Sequence, residues 1–112
     1  MEREPTVYMM ASGFQGTIYT GVTSDLLGRV YQDREGTFGG FTERYGCKRL
    51  VWFETGGSME GVIAREKQLK KWARAWKVAL IEEGNPTWRD LAEDFGCDPL
   101  VGKKVDPGSR PG

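Results

Sequence analysis

Five side chains able to move protons or stabilise charge are spread along this 112-residue chain. Tyr8 and Tyr19 lie in two runs rich in β-forming residues. Arg29 and Asp33 stand four residues apart, and Glu66 interrupts an apolar helical series. Tyrosine can act as a general base when cations or a metal lower its pKa, arginine stabilises charge on a phosphoryl oxygen, and one carboxylate can anchor a hydrated Mg²⁺. Together these groups suit hydrolysis of a phosphodiester.

The absence of histidine narrows the chemistry further. The chain cannot contain a Ser-His-Asp triad, a Cys-His dyad or a zinc site with a histidine ligand. Its two cysteines, Cys47 and Cys97, cannot form a four-thiolate metal site, and we expect both to be reduced thiols. Proton transfer must therefore use Tyr, Asp, Glu, Lys or Cys.

Each candidate residue also has an ordinary structural interpretation. Tyrosine is common in strands because aromatic side chains pack well on sheets, and a lone arginine such as Arg29 is usually a surface residue. A carboxylate in an apolar series needs a partner, a cation or an exposed rim position. From the pattern alone, a salt bridge or a rim position is therefore favoured over a metal ion as the explanation of Glu66.

The two tyrosines belong to a predicted hairpin. Thr6–Ala11 and Thr17–Val22 are short β-rich runs separated by a glycine-containing loop at 12–16, a pattern typical of antiparallel strands. Alternation puts Tyr8 on one face of the first strand with Thr6 and Met10. On the second strand, Tyr19 shares its face with Thr17 and Gly21.

Arg29 and Asp33 belong to a predicted helix that follows the hairpin. Thr23 or Ser24 is a plausible N-cap, the helix ends near Gly36, and spacing of four places Arg29 and Asp33 on one side of it. A third strand is predicted at Leu50–Phe53, after a glycine-rich loop at 37–42.

The longest predicted helix runs from about Met59 to Glu83, with apolar residues at spacings of three and four. Glu66 falls on or beside its inward side. The outer side carries a row of basic residues, which are Lys67, Lys70, Lys71, Arg74 and Lys77. Gly84 and Pro86 end the helix, and a last short helix is predicted within 88–95.

The order β-β-α-β-α-(α) predicts a small α+β domain over residues 1–95, a three-stranded mainly antiparallel sheet flanked by helices. Residues 96–112 are rich in Gly and Pro and are predicted to form a flexible tail. The sequence shows no membrane-spanning run and no signal peptide. We therefore expect a cytoplasmic protein.

The net charge of zero conceals an uneven distribution. Residues 37–81 carry nine basic and four acidic side chains, whereas residues 1–36 and 82–112 have an acidic excess. The basic middle is where a polyanion would bind. A solvated helix face is the ordinary alternative.

Several segments, taken in order over residues 5–95, resemble the GIY-YIG nuclease superfamily, most closely its small stand-alone single-domain bacterial type. Thr6-Val7-Tyr8 is similar to the first signature triplet and Tyr19-Thr20-Gly21 to the second. The further similar segments are Gly21–Arg29, Gly40–Gly46, Ala64–Trp72 and Asn85–Leu91.

The resemblance implies a role for each matching residue. Tyr8 would receive a proton from the attacking water or orient it, and Tyr19 would support Tyr8 and the scissile phosphate. Arg29 would stabilise charge on that phosphate, and Glu66 would hold one Mg²⁺ (or Mn²⁺) ion. The predicted nucleic-acid-binding residues are Arg44, Lys48, Lys67, Lys70, Lys71, Arg74 and Asn85.

Position 33 departs from the family pattern, in which many members carry a histidine one turn after the arginine. Here the residue is Asp33, which we include among the catalytic candidates. It could accept a hydrogen bond from Tyr8 or bind a metal-bound water. It could equally form an i,i+4 ion pair with Arg29 and leave the site slow.

The resemblance thus implies a metal-dependent endonuclease acting on DNA phosphodiester bonds, structure-selective or non-specific, in DNA repair or recombination. The expected partner is DNA, with branched and single-stranded forms among the candidate substrates. One alternative is a nucleic-acid-binding module that kept the scaffold and lost the chemistry. Another is a protein-interaction domain that uses the aromatic residues of 72–88.

Overall fold

The computed structural model describes residues 4–35 and 46–95, with the side chains of residues 33–35 excepted. The predicted glycine-rich loop at 37–42, Arg44, Cys97 and the predicted tail from residue 96 lie outside the described residues.

The sheet has three antiparallel strands in the order β2-β1-β3. These are β1 (Thr6–Ala11), β2 (Ile18–Thr23) and β3 (Arg49–Thr55). The predicted hairpin and α+β class are confirmed; β1 has its predicted bounds, and β2 is shifted by one residue. Every residue of β1 is buried because a strand lies on each side of it and helices cover both of its faces.

Alternating residues of β1 face two separate cores. Val7, Met9 and Ala11 pack against α2 (Met59–Lys71) and α3 (Arg74–Gly84). The opposite face is buried by α1 (Leu26–Glu35) and a short 3₁₀ helix (Leu91–Phe95), and it carries Tyr8 and Met10.

The N-terminus of α1 is capped one residue later than predicted. Asp25 Oδ1 accepts a hydrogen bond from the Gly28 amide at 3.2 Å, and Thr23 Oγ1 accepts one from the Asp25 amide at 3.0 Å. Asp25 thus fills the capping role predicted for Thr23 or Ser24, and its negative charge also suits the helix N-terminus.

The predicted continuous helix from Met59 to Glu83 is wrong, because it is broken at Trp72 and Ala73. Both residues are extended, with ψ of 148° and 154°. Arg74 donates hydrogen bonds to the Gln15 and Gly16 carbonyls in the β1–β2 loop, at 2.7 and 2.8 Å. We attribute the break to these tertiary contacts, since neither Gly nor Pro lies between Gly61 and Gly84.

The segment after α3 covers the outer edge of β3. Asn85 Nδ2 donates to the Val51 carbonyl at 3.1 Å, and Asp90 Oδ1 accepts from the Leu50 amide at 3.1 Å. Arg49 donates to the Trp88 carbonyl at 3.0 Å. Backbone groups that an edge strand would leave open are thereby paired.

Candidate functional site

Tyr8, Tyr19 and Arg29 meet on the face of the sheet covered by α1, and we call them the tyrosine–arginine cluster. Tyr8 is fully buried, and its ring centroid lies 6.3 Å from that of Tyr19 at an interplanar angle of 55°. Arg29 Nη2 donates to the Tyr19 hydroxyl at 3.4 Å, and both residues are half-buried. Three predicted catalytic residues, from β1, β2 and α1, are therefore neighbours.

Gly21 leaves the space that the Tyr8 phenol occupies. The two residues are directly opposite in the β1–β2 register. A Cβ atom at position 21 would lie 2.8 Å from the Tyr8 hydroxyl oxygen and 3.0 Å from its Cζ. These distances are too short for ordinary contacts. The sequence identifies Gly21 only as a member of the second triplet and gives it no role. Its role, which is to leave room for the Tyr8 ring, follows from the pairing of the two residues across the strands.

We expect Gly21→Ala to displace Tyr8 and impair the site. The new methyl group would meet a buried ring that has little room to move, and overpacking of this kind costs about 1–3 kcal/mol of unfolding free energy. Any reaction that depends on this cluster should slow roughly tenfold or more, because misplacing a catalytic group by about 1 Å is costly.

Gly13→Ala is the matched control, because a Cβ there would have open space in the same hairpin. Urea denaturation and cleavage rates measured on both variants would check the prediction. Equal stability and equal activity of the two variants would contradict it.

Asp33 lies in α1 one turn after Arg29, and its side chain is outside the described part of the structure. Its assistance to Tyr8 therefore stays a prediction.

Glu66 lies on α2 between the buried residues Val62 and Leu69, so its predicted inward position is confirmed. Its carboxylate, 16% exposed, forms an ion pair with Lys70 Nζ at 2.7 Å. α2 packs against the core that contains Val7, whereas Tyr8 belongs to the core on the other face of the sheet. The salt bridge, one of the alternatives that the sequence allowed for Glu66, is thus present.

A carboxylate is the oxygen ligand that Mg²⁺ prefers, and Mg²⁺ is commonly held by one or two carboxylates with waters and substrate phosphates. Glu66 fits that minimal role once Lys70, which is 52% exposed, turns to solvent. Within residues 4–35 and 46–95, no group of three or more Cys, Asp or Glu side chains is arranged to hold a metal.

The predicted nucleic-acid-binding residues have different environments. Lys48, Lys67 and Lys71 are exposed. Lys70 is paired with Glu66, and Arg74, although exposed, is bound to the β1–β2 loop. The lysines of α2 therefore form the main accessible row of the predicted set.

Asn85 was predicted to contact nucleic acid, but the structure places it in the interior. Its side chain is buried, with a residue exposure of 4%. Besides its bond to Val51, Nδ2 donates to the Arg89 carbonyl at 2.9 Å, and Oδ1 accepts from the Arg89 amide at 3.1 Å. These three bonds to the backbone give Asn85 a structural role.

Comparisons with known proteins agree with this fold. The GIY-YIG catalytic domain matches residues 4–79. A UPF0213 protein of Syntrophus aciditrophicus is 38% identical over 71 residues, covering 62% of this chain and 80% of the relative. One of Aeromonas salmonicida is 28% identical over 104 residues, covering 85% and 75%. No solved structure gives a significant match.

The chain belongs to the GIY-YIG family. Membership implies a nuclease-like function and a nucleic-acid substrate, and nucleases of this family typically use a divalent metal ion. In the part of the chain that the structure describes, no helix is long and apolar enough to cross a bilayer.

Proposed function

We propose that the protein is a metal-dependent endonuclease that hydrolyses DNA phosphodiester bonds at the tyrosine–arginine cluster. The observation that carries the proposal is the contact of Arg29 with the Tyr19 hydroxyl beside the buried Tyr8 ring. A guanidinium that contacts one phenol, with a second phenol ring packed beside the first, supplies both a positive charge for the phosphate and groups for handling a proton.

In this proposal Tyr8 orients the attacking water or takes its proton, and Tyr19 supports Tyr8 and the scissile phosphate. Arg29 stabilises the charge that develops on the phosphate. Burial strengthens these interactions because the local dielectric is low.

Glu66 is proposed to anchor one Mg²⁺ or Mn²⁺ ion, which would supply Lewis-acid stabilisation of the phosphate. Because Lys70 is within 2.7 Å of this carboxylate, metal binding and the ion pair compete. Asp33 is proposed either to accept a hydrogen bond from Tyr8 or to bind a metal-bound water.

We propose structure-selective or non-specific cutting of DNA, in repair or recombination and in the cytoplasm. The exposed lysines of α2 support backbone contacts, since ammonium groups bind phosphates without reading sequence. The test is incubation of the purified protein with junction, flap, nicked and single-stranded DNA in Mg²⁺, Mn²⁺ or EDTA. Nicking that requires the metal is expected, and no cleavage of any of these substrates would refute the proposal.

We expect Glu66→Ala to lower metal-dependent cleavage by about 10²–10³-fold, the usual loss for one electrostatic stabiliser of the reaction. The fold should persist, because a partly exposed ion pair contributes about 0–1 kcal/mol. Cleavage against Mn²⁺ concentration and direct Mn²⁺ binding measured by calorimetry would check this.

Glu60→Ala is the matched control, since Glu60 is exposed in the first turn of α2. If Glu66→Ala and Glu60→Ala bind Mn²⁺ and cleave DNA equally well, Glu66 does not hold the metal.

The second candidate is a nucleic-acid-binding module without catalysis, and the Glu66–Lys70 ion pair favours it. That module would bind DNA with strong salt dependence through the α2 lysines. Glu66→Ala would leave the affinity of this module for DNA unchanged, and added Mn²⁺ would produce no nicks.

A further inference from the structure

The break between α2 and α3 exposes a pair of tryptophans within a strongly basic segment. Residues 65–77 carry six basic side chains and one acidic side chain. Trp72 is half-buried at the C-cap of α2, whereas Trp76, in the first turn of α3, is 61% exposed. A tryptophan is the most expensive side chain to leave in water, so such exposure indicates a binding surface.

The two indoles are held in a fixed arrangement. Their ring centroids are 5.7 Å apart at an interplanar angle of 80°, which is an edge-to-face contact. The Arg65 guanidinium lies 5.5 Å from the Trp72 ring centroid, a cation–π contact that covers part of that ring. Trp72 is thereby supported from one side and in turn positions Trp76.

Beside the pair lies an open groove of about 590 Å³, which we call the tryptophan groove. Its apolar wall is formed by Trp72, Trp76, Ala79 and Leu80, and Glu82 and Glu83 stand at one end of it. The groove is on α3, which packs against the core of Val7 and not against the tyrosine–arginine cluster.

We propose that Trp76 is a stacking platform for an unpaired base of a single-stranded nucleic acid, whose phosphates follow the exposed lysines of α2. Exposed aromatic rings interleaved with lysine and arginine are the combination that binds single strands without sequence preference. The charge excess of this segment favours a polyanion over an apolar peptide as the occupant of the groove.

The acidic end of the groove gives the bound strand a direction. Glu82 is held in place, because its carboxylate accepts the Trp88 Nε1–H at 2.7 Å and a Gln15 Nε2–H at 3.2 Å. Carboxylates repel phosphates, so the backbone of the strand would leave the groove toward the C-terminal turn of α2, where Lys70 and Lys71 lie.

Stacking on Trp76 also gives selectivity. Both faces of a base are covered in a duplex, so only an unpaired base can place a face on the indole. The platform therefore deepens the proposed function by naming a substrate with a single-stranded segment. The role of the platform in selecting a substrate rests on the proposed nuclease function. Binding of a single strand to Trp76 does not, since binding requires no cleavage.

The test uses the full chain in EDTA with a labelled short oligothymidylate and with a blunt-ended duplex of two complementary strands, which has no unpaired loop. Trp76→Ala is expected to weaken binding of the single strand about 5- to 100-fold, the usual effect of removing one base-stacking ring. Affinity for the duplex should change less than twofold, and Trp76→Phe should retain most of the single-strand affinity.

Phe14→Ala is the matched control, because Phe14 is a similarly exposed aromatic residue, 60% accessible, in the β1–β2 loop. It should bind the single strand like the wild type. The proposal is overturned if Trp76→Ala binds the single strand as tightly as the wild type, or if it loses equal affinity for the single strand and the duplex. Capture of a protein through Trp76 with unchanged single-strand affinity would also overturn it.

Binding in EDTA separates this proposal from the proposed function. A protein that binds the single strand through Trp76 but cuts nothing in Mn²⁺ would support the platform and refute the nuclease. Cleavage that depends on Glu66, together with unchanged single-strand binding by Trp76→Ala, would support the nuclease and refute the platform.

Discussion

Tyr8→Phe is expected to lower DNA cleavage about 10²–10⁴-fold, the range that general acid–base groups usually contribute. The variant removes one hydroxyl group and keeps the ring. That ring packs in the core beside Met10, Val30 and Leu50. Phenylalanine fills the same volume, so the fold and the binding of DNA should be retained.

The measurement is a single-turnover cleavage rate at saturating protein, which separates chemistry from binding. Tyr31→Phe is the matched control, because Tyr31 is also on this side of the sheet but is 49% exposed on α1. A Tyr8→Phe protein that cuts at the wild-type rate would show that another group handles the proton.

The short-range features of the hairpin were predictable from the sequence. Alternation and a glycine-containing loop predicted β1 with its observed bounds and placed Tyr8 and Tyr19 on neighbouring strands. Such features depend on residues close in sequence, where side-chain alternation and turn propensity dominate. The proximity of Arg29 to Tyr19 was implied only by the family resemblance, because their contact joins a strand to a helix.

The position of Glu66 shows what periodicity can and cannot predict. The spacing of apolar residues correctly predicted that Glu66 is turned inward on its helix. Periodicity does not specify on which face of the sheet a helix docks, and α2 docks on the face opposite Tyr8. The sequence therefore predicted which side of the helix carries Glu66 but not the face of the sheet on which that helix docks.

The helix break at Trp72 could not be predicted, because no local signal marks it. Ala73, Arg74 and Ala75 all favour a continuous helix. The hydrogen bonds from Arg74 to two loop carbonyls join residues 58 and 59 positions apart. Only the folded chain brings those groups together, and they place Trp76 at the surface instead of within a straight helix.

Asn85→Ala is expected to lower the free energy of unfolding by about 1–3 kcal/mol, the usual cost of leaving a buried hydrogen-bonding group unsatisfied. Its side chain closes the turn that contains Trp88, whose backbone lies in the left-handed region with φ of 58°. A bulky residue holds this conformation only when its surroundings fix it.

Urea denaturation checks the prediction for Asn85, with Thr87→Ala as the control because Thr87 is exposed in the same turn. Below the unfolding transition, Asn85→Ala should bind DNA as the wild type does. A variant with unchanged stability but weaker DNA binding would restore the sequence-based interpretation of Asn85 as a nucleic-acid contact. The buried position predicts the opposite, because an amide bonded to Val51 and Arg89 has no exposed face for a phosphate.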